Sequence, residues 1–479
     1  MLNYRNIALR RLAALGPRYL PFADVASEDV PLSQLLRLSL FQVSVGMALV
    51  LLVGTLNRVM IVELEVPATL VAVMLALPLL FAPFRTLIGH KSDTHVSALG
   101  LRRVPYIWKG TLYQFGGFAI MPFALLVLSG YGEAVDAPRW IGYSSAALAF
   151  LLVGAGVHIV QTVGLALATD LVEEDDQPKV VGLMYVMLLL GMVVAALVYG
   201  ALLENYSPGR LIQVIQGSAV ATVALNLIAM WKQEARSRER ARQMEAARPV
   251  AFSTAWSQLM QQPNMLRLLV LIALGTFGFG MADVLLEPYG GQVLGLSVAD
   301  TTKLTALLAT GTLIGFGIAS RVLGSGGSPE RMAAVGAAVG VPGFAAIILA
   351  SLGGGTATFL AGTLATGLGA GLFGHATLTA TIRAAPRERI GLSLGAWGAV
   401  QATSAGIGVA LAGIVRDVIV GLQGSTGSTP HMAYNVVFMI EALVLVLAIA
   451  VALPLALKAR RTGAGYRPEA TNTKTVEVS

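Results

Sequence analysis

The chain contains no cysteine, which excludes disulfides, thiol catalysis and Cys-based metal sites. Charge is also scarce. Only 12% of the 479 residues are Asp, Glu, Lys or Arg, against about 25% in ordinary soluble domains. No Gly-Lys phosphate loop and no nucleophile motif occurs, so hydrolysis-driven transport and covalent catalysis have no support. What fills the chain instead is apolar: 56% of the residues are hydrophobic. Predominantly apolar stretches of about 18 residues or more recur along its length, each able to cross ~30 Å of hydrocarbon. The fold class expected is an all-α polytopic membrane protein that makes or breaks no bond.

Hydropathy places twelve helices near 38–61, 68–88, 105–129, 140–168, 179–203, 210–231, 265–293, 302–323, 332–353, 355–381, 391–420 and 434–457. The resulting plan is a tail (1–37), a six-helix half (38–231), a linker (232–264), a second six-helix half (265–457) and a polar tail (458–479). The net charge of +7 is not a nucleic-acid signal, because the basic residues sit beside the spans. The two tails and the even-numbered loops, taken with Arg85, Lys179 and Arg321 at their edges, hold 26 Lys and Arg. The odd-numbered loops hold three, Arg139, Arg210 and Lys303. Positive charge stays in the cytoplasm, so both termini and the 232–264 linker are expected there. The tail to Arg37 has five Arg and no compact apolar core before a small-residue cleavage site; no cleaved signal peptide is expected. The linker interleaves Arg236, Arg238, Arg240 and Arg242 with Glu234, Glu239 and Glu245. It reads as a solvated, partly helical segment.

The halves repeat weakly. Gly154-Ala155-Gly156 and Thr169-Asp170 in the fourth span are echoed by Gly369-Ala370-Gly371 and Thr381-Ile382-Arg383 in the tenth. Such a six-plus-six plan is what a major-facilitator fold requires. Gly311-x-x-x-Gly315, Gly336-x-x-x-Gly340 and Gly367-x-x-x-Gly371 are small-residue faces for tight helix packing. The loop Gly89-His90-Lys91-Ser92-Asp93, continued by Gly100-Leu101-Arg102-Arg103, has the content of the loop between the second and third helices of major-facilitator transporters, with extra residues between Asp and the Arg pair. Arg85, Asp93, Arg102, Arg103 and Asp170 are read as one structural charge cluster at the membrane surface.

The altered loop, together with Gly54-Thr55-Leu56-Asn57-Arg58-Val59-Met60-Ile61-Val62-Glu63-Leu64, Leu80-Phe81-Ala82-Pro83-Phe84-Arg85 and Arg103-Val104-Pro105-Tyr106-Ile107-Trp108, resembles the PucC/LhaA family from about Ser33 to Leu457. The resemblance implies a major-facilitator-like fold in the bacterial inner, intracytoplasmic photosynthetic membrane. It implies work in assembling a light-harvesting complex and handling bacteriochlorophyll. Antenna polypeptides, the reaction-centre core complex and membrane lipids are the implied partners, with carotenoid or lipid as further candidate ligands.

Ionisable residues inside spans are functional candidates because burying them is costly. Arg58 and Glu63 are five apart, which is not one face of an α-helix, so different partners are expected for them. Arg58 is instead paired with Asp283 of the seventh span as an intramembrane charge lock. Asp283 and Glu287 share a face. Glu63 and Glu287 are read as hydrated span ends, and Arg416-Asp417 and Glu441 as interface charges. Asp170-x-x-Glu173-Glu174-Asp175-Asp176 lacks the Gly-turned spacing of a Ca²⁺ loop and reads as solvated. His158 and His375 lie in equivalent spans, and each has Gly four residues earlier, Gly154 and Gly371. That spacing is similar to the device of antenna polypeptides. It would leave a side-chain-free patch for a macrocycle whose Mg the imidazole ligates. The competing reading is a histidine hydrogen-bonded between helices beside a packing glycine.

The functional expectation is a membrane assembly factor that binds bacteriochlorophyll and delivers it to antenna polypeptides, those of the core antenna favoured over the peripheral. One rival is a proton-coupled transporter of a small solute with Arg58, Asp283 and Asp170 as its charge relay. The other is a pigment-free scaffold for antenna helices.

Overall fold

The computed structural model describes residues 30–80, 88, 92, 101, 103–130, 134, 136–173, 176–234, 256–257, 259–384, 390–423 and 431–461. Regular structure among them is helical. The elements are α1 (Leu32–Glu63), α2 (Ala68–Leu80), α3 (Val104–Ser129), α4 (Arg139–Asp170), α5 (Gln177–Leu202), α6 (Pro208–Met230), α7 (Met265–Gln292), α8 (Val298–Gly324), α9 (Pro329–Leu349), α10 (Gly355–Ala384), α11 (Ile390–Gln423) and α12 (His431–Arg461). Ten helical stretches are long and apolar enough to cross a membrane. One of these, Pro329–Ala384, reverses at Gly353 and Gly355, whose φ angles of 114° and 69° suit glycine; it therefore comprises α9 and α10. The shorter apolar Ala68–Leu79 belongs to α2.

A bilayer leaves a backbone no solvent partner, so the chain must satisfy itself by helix formation. Helix ends follow local chemistry. α6, α8 and α9 each begin after a serine whose hydroxyl accepts from the amide three residues on: Ser207 from Arg210 (3.1 Å), Ser297 from Asp300 (3.1 Å) and Ser328 from Arg331 (3.3 Å). Pro208 and Pro329 open two of these helices, where a missing N–H costs nothing. Several boundaries differ from hydropathy by three or more residues, and two of these have a plain reading. α1 starts at Leu32, just after Pro31, because Leu35 and Leu38 are buried against the bundle. α12 continues to Arg461, beyond the last apolar residue.

α1 packs on α4, α5 and α6; α2 packs on α4; α3 packs on α4 and α6. α7 packs on α10, α11 and α12; α8 packs on α10; α9 packs on α10 and α12. The two sets meet through α2 against α11, α5 against α8, and α1 against α7 and α8. The core of the second set is aromatic, with Tyr289 centred 5.2 Å from Phe359, 5.7 Å from Tyr434 and 5.4 Å from Phe438. Phe123, Val194, Leu352 and Leu443 are exposed apolar side chains of the outer surface, as a hydrocarbon solvent permits.

α1 is not a uniform α-helix. Val50–Leu56 and Val59–Glu63 are π-helical. α7 is irregular near Met281, whose φ and ψ stay helical, and carries Pro288 beyond it. Both irregularities fall where α1 and α7 face each other, and they set the geometry of the buried charges.

Candidate functional site

At the end of the bundle where α3 begins and α4 ends, Arg103 is buried. Its Nε bonds Asp170 at 3.0 Å and its guanidinium donates to Ser92 Oγ at 2.9 Å. Glu234, just past α6, accepts from the backbone amides of Arg103 and Val104 at 3.0 Å each. A carboxylate there satisfies the open amides of the α3 N-terminus and complements its dipole. Arg103 and Asp170 are thus brought together as the sequence suggests. Arg85, Asp93 and Arg102 lie outside the described residues. Ser92 and Glu234 join the cluster unforeseen. At the same end of the second set, Arg383 of α10 donates to the carbonyls of Leu323 (2.9 Å) and Gly327 (3.0 Å), capping the end of α8.

The expected pair Arg58–Asp283 does not form. Arg58 bonds Glu63 of its own helix and the Leu296 carbonyl between α7 and α8 at 3.1 Å. The reason is the π winding of α1. In a π-turn the backbone bond runs from i to i+5, so residues five apart come onto one face. Tyr206, between α5 and α6, lies close to this pair. Burial pushes its hydroxyl pKa upward, Glu63 adds to the rise and Arg58 opposes it. A second polar knot holds the same end. Arg416 bonds Asp417 (2.8 Å) and Gln292 (2.9 Å), Tyr434 donates to Gln292 (2.6 Å), and Asp417 accepts from the Thr69 amide (2.7 Å) at the start of α2. Arg58–Leu296 and Asp417–Thr69 each tie one set of helices to the other.

Asp283 and Glu287 share a face of α7, as the four-residue spacing requires. Glu287 is not a hydrated span end. It is 2% exposed, and its Oε1 accepts from Thr305 Oγ1 at 2.8 Å. Beside them Asn57 of α1 donates to the carbonyl of Val284 at 2.9 Å. That carbonyl would normally receive the amide of residue 288, which is proline and has none. No pattern around Asn57 itself marks it; a proline inside the seventh span is the signal that a side-chain donor is needed nearby.

His158 and His375 occupy α4 and α10 as expected. His375 stands 4.2 Å from the Phe316 ring, and its buried Nδ1 has no hydrogen-bond partner. The glycines one turn before them are not open patches. A Cβ at Gly154 would collide with the Pro78 ring of α2, and one at Gly371 with the Thr312 carbonyl of α8. The α8–α10 contact is reciprocal. Gly311 and Gly315 meet the carbonyls of Leu364 and Leu368, while Gly367 and Gly371 meet those of Leu308 and Thr312. These glycines exist for backbone-to-backbone approach.

The family model described as PUCC protein matches residues 55–460. The chain belongs to the PucC family. It is 73% identical to Protein PucC of Rhodobacter capsulatus over 93% of this chain and 97% of that one. It is 65% identical to Protein PucC of Rhodovulum sulfidophilum over 86% and 91%. Among solved structures, a bacterial homologue of the human lysosomal transporter Spinster, inward-facing and unoccupied, superposes with a TM-score of 0.65 at 15% identity over 91% of this chain and 98% of that one. At that identity the likeness is one of fold, and the fold of this PucC protein is of the major-facilitator type.

Bacteriochlorophyll can be tested against this PucC geometry. A macrocycle lying over the glycine at i−4 needs a clear face there. Pro78 and the α8 backbone fill both faces. The antenna-type arrangement at His158 with Gly154, and at His375 with Gly371, therefore does not fit this arrangement of helices.

Proposed function

We propose that this PucC protein is a membrane assembly factor for a light-harvesting antenna complex, and that it carries bacteriochlorophyll to antenna polypeptides without making or breaking a bond. Family membership carries the reading: PucC relatives imply a role in photosynthetic complex assembly in purple bacteria. We infer further a six-plus-six arrangement in the inner, intracytoplasmic membrane with both termini cytoplasmic. Its supports are the one-sided Lys and Arg distribution and the matched packing, in which each pairing among α1–α6 has a counterpart six elements on. Core antenna polypeptides are favoured as partners, with the reaction-centre core complex and surrounding lipids adjoining. Pigment is assigned to no residue here, because the glycine faces are closed. The transporter relay of Arg58, Asp283 and Asp170 has no support in the contacts made: Arg58 bonds Glu63, and Asp170 bonds Arg103 at the opposite end.

Gentle purification from phototrophic membranes tests the proposal. Far-red pigment absorbance together with co-purifying antenna polypeptides is the expected result, and the identity of those polypeptides decides between core and peripheral antenna. Colourless protein that retains antenna polypeptides would leave a scaffold. Protein carrying neither would overturn the reading.

A further inference from the structure

We propose that Asp283, Glu287 and Glu441, with Asn57 and Thr305, form a proton-binding site inside the helical bundle. The site draws on four helices. α7 supplies Asp283 and Glu287, α12 supplies Glu441, α1 supplies Asn57 and α8 supplies Thr305. α12 approaches α7 closely at Gly278, where a Cβ would meet Leu445 at 2.9 Å and the Glu441 carbonyl oxygen at 3.4 Å. Asp283 is within electrostatic reach of both glutamates.

The buried groups lacking a partner here have one chemistry. Glu441 is 0% exposed and neither carboxyl oxygen has a hydrogen-bond partner. Glu287 Oε2 and Asn57 Oδ1 are likewise buried and unpartnered. All four atoms are oxygen acceptors, so what the site lacks is a donor or a positive charge. The charged groups on the packed helices do not supply it. Arg58 is engaged by Glu63 and Leu296, and Arg416 by Asp417 and Gln292. α8 brings Asp300, Lys303 and Arg321, of which Lys303 pairs with Asp300. α9 brings Glu330 and Arg331 in its first turn. No ion pair to Asp283, Glu287 or Glu441 occurs among the described residues.

An ionised carboxylate accepts only, whereas a protonated one also donates. Burying the ionised form unpaired costs far more than burying the neutral acid. Protons taken from the aqueous phase, and returned to it, would give the site its missing donors. A metal ion is the alternative occupant, but among the described residues no group of His, Cys, Asp and Glu is disposed to hold one. Asn57 links this site to the contact between the two helix sets, since its amide nitrogen bonds the α7 backbone at Val284. The loading of the site therefore bears on the α1–α7 contact.

The test is infrared difference spectroscopy of the purified full chain in lipid nanodiscs, titrated from neutral to alkaline pH. It needs neither pigment nor antenna polypeptide, so it can fail while the assembly reading stands. The wild type should show a protonated-carboxyl stretch at neutral pH that is lost on alkalinisation. Glu441→Gln should lack most of that band. If that variant does not accumulate, Glu287→Gln should remove part of it. Superimposable spectra from wild type and a folded Glu441→Gln protein would overturn the proposal. So would a sodium-dependent rise in thermal stability that Glu441→Gln abolishes, because the occupant would then be a metal cation.

Discussion

A single proline organises the centre of this protein. Pro288 cannot donate to the Val284 carbonyl, and Asn57 of the facing helix does so instead. The two residues are therefore predicted to be coupled. Asn57→Ala should lower stability by about 1–3 kcal/mol, the cost of an orphaned buried carbonyl. With Pro288→Ala in place, the amide of residue 288 returns to the helix, and Asn57→Ala should cost much less. Thermal unfolding of the four proteins of this cycle in detergent measures the coupling; additive losses would show that Asn57 is not the substitute donor. Sequence reading reached part of this region. The spacing of Asp283 and Glu287 placed them on one face, where they are found. The Arg58–Glu63 pair is not legible from an α-helical period, because α1 winds as a π-helix there. Nothing in Val59–Glu63 distinguishes the two windings by composition; the segment packs against α7 and α2, neighbours that its own sequence does not name.

At the scale of elements, glycine spacing was legible and its purpose was divided. The G-x-x-x-G faces of α8 and α10 were recognisable as contact surfaces, and they prove to contact each other, carbonyl against glycine in both directions. The glycines before His158 and His375 have the same spacing relative to histidine that a pigment site would have. Only the positions of Pro78 and Thr312 reveal that neighbouring helices fill the space. Local sequence cannot separate a patch left for a ligand from one left for a helix, because both require the same missing Cβ. The distinction is measurable. Gly371→Leu should destabilise the protein by about 1–3 kcal/mol or more through overpacking, whether or not pigment is present. His375→Leu, at a partly exposed position beside Phe316, should cost less. The denaturation midpoints of the two variants, purified without pigment, test this. A stable Gly371→Leu protein would mean that α8 and α10 separate readily enough to admit a bulky group.

For the whole molecule, hydropathy points to twelve helices and a helix is found at each place, because a span must be predominantly apolar to cross the hydrocarbon. Which helices touch was not legible, since nothing in the sequence of α2 names α11 as its neighbour, or in α5 names α8. The orientation rests on charge. Arg103, Asp170, Glu234 and Arg383 gather at one end of the bundle, where α3 begins and α4, α6 and α10 end. The opposite end is held by polar contacts that cross between the helix sets, Arg58 to Leu296 and Asp417 to Thr69. If basic residues remain on the cytoplasmic side, the first end is cytoplasmic and the crossed end faces the periplasm. The chain has no native cysteine, so single cysteines report without background. A cysteine replacing Ser428, between α11 and α12, should react with a membrane-impermeant maleimide added to intact cells once the outer membrane is permeabilised. One replacing Ser237, in the linker, should react only after the inner membrane is opened. The reverse pattern would invert the protein. It would put the crossed contacts on the cytoplasmic face, and the cluster around Arg103 on the side where its basic neighbours are least expected.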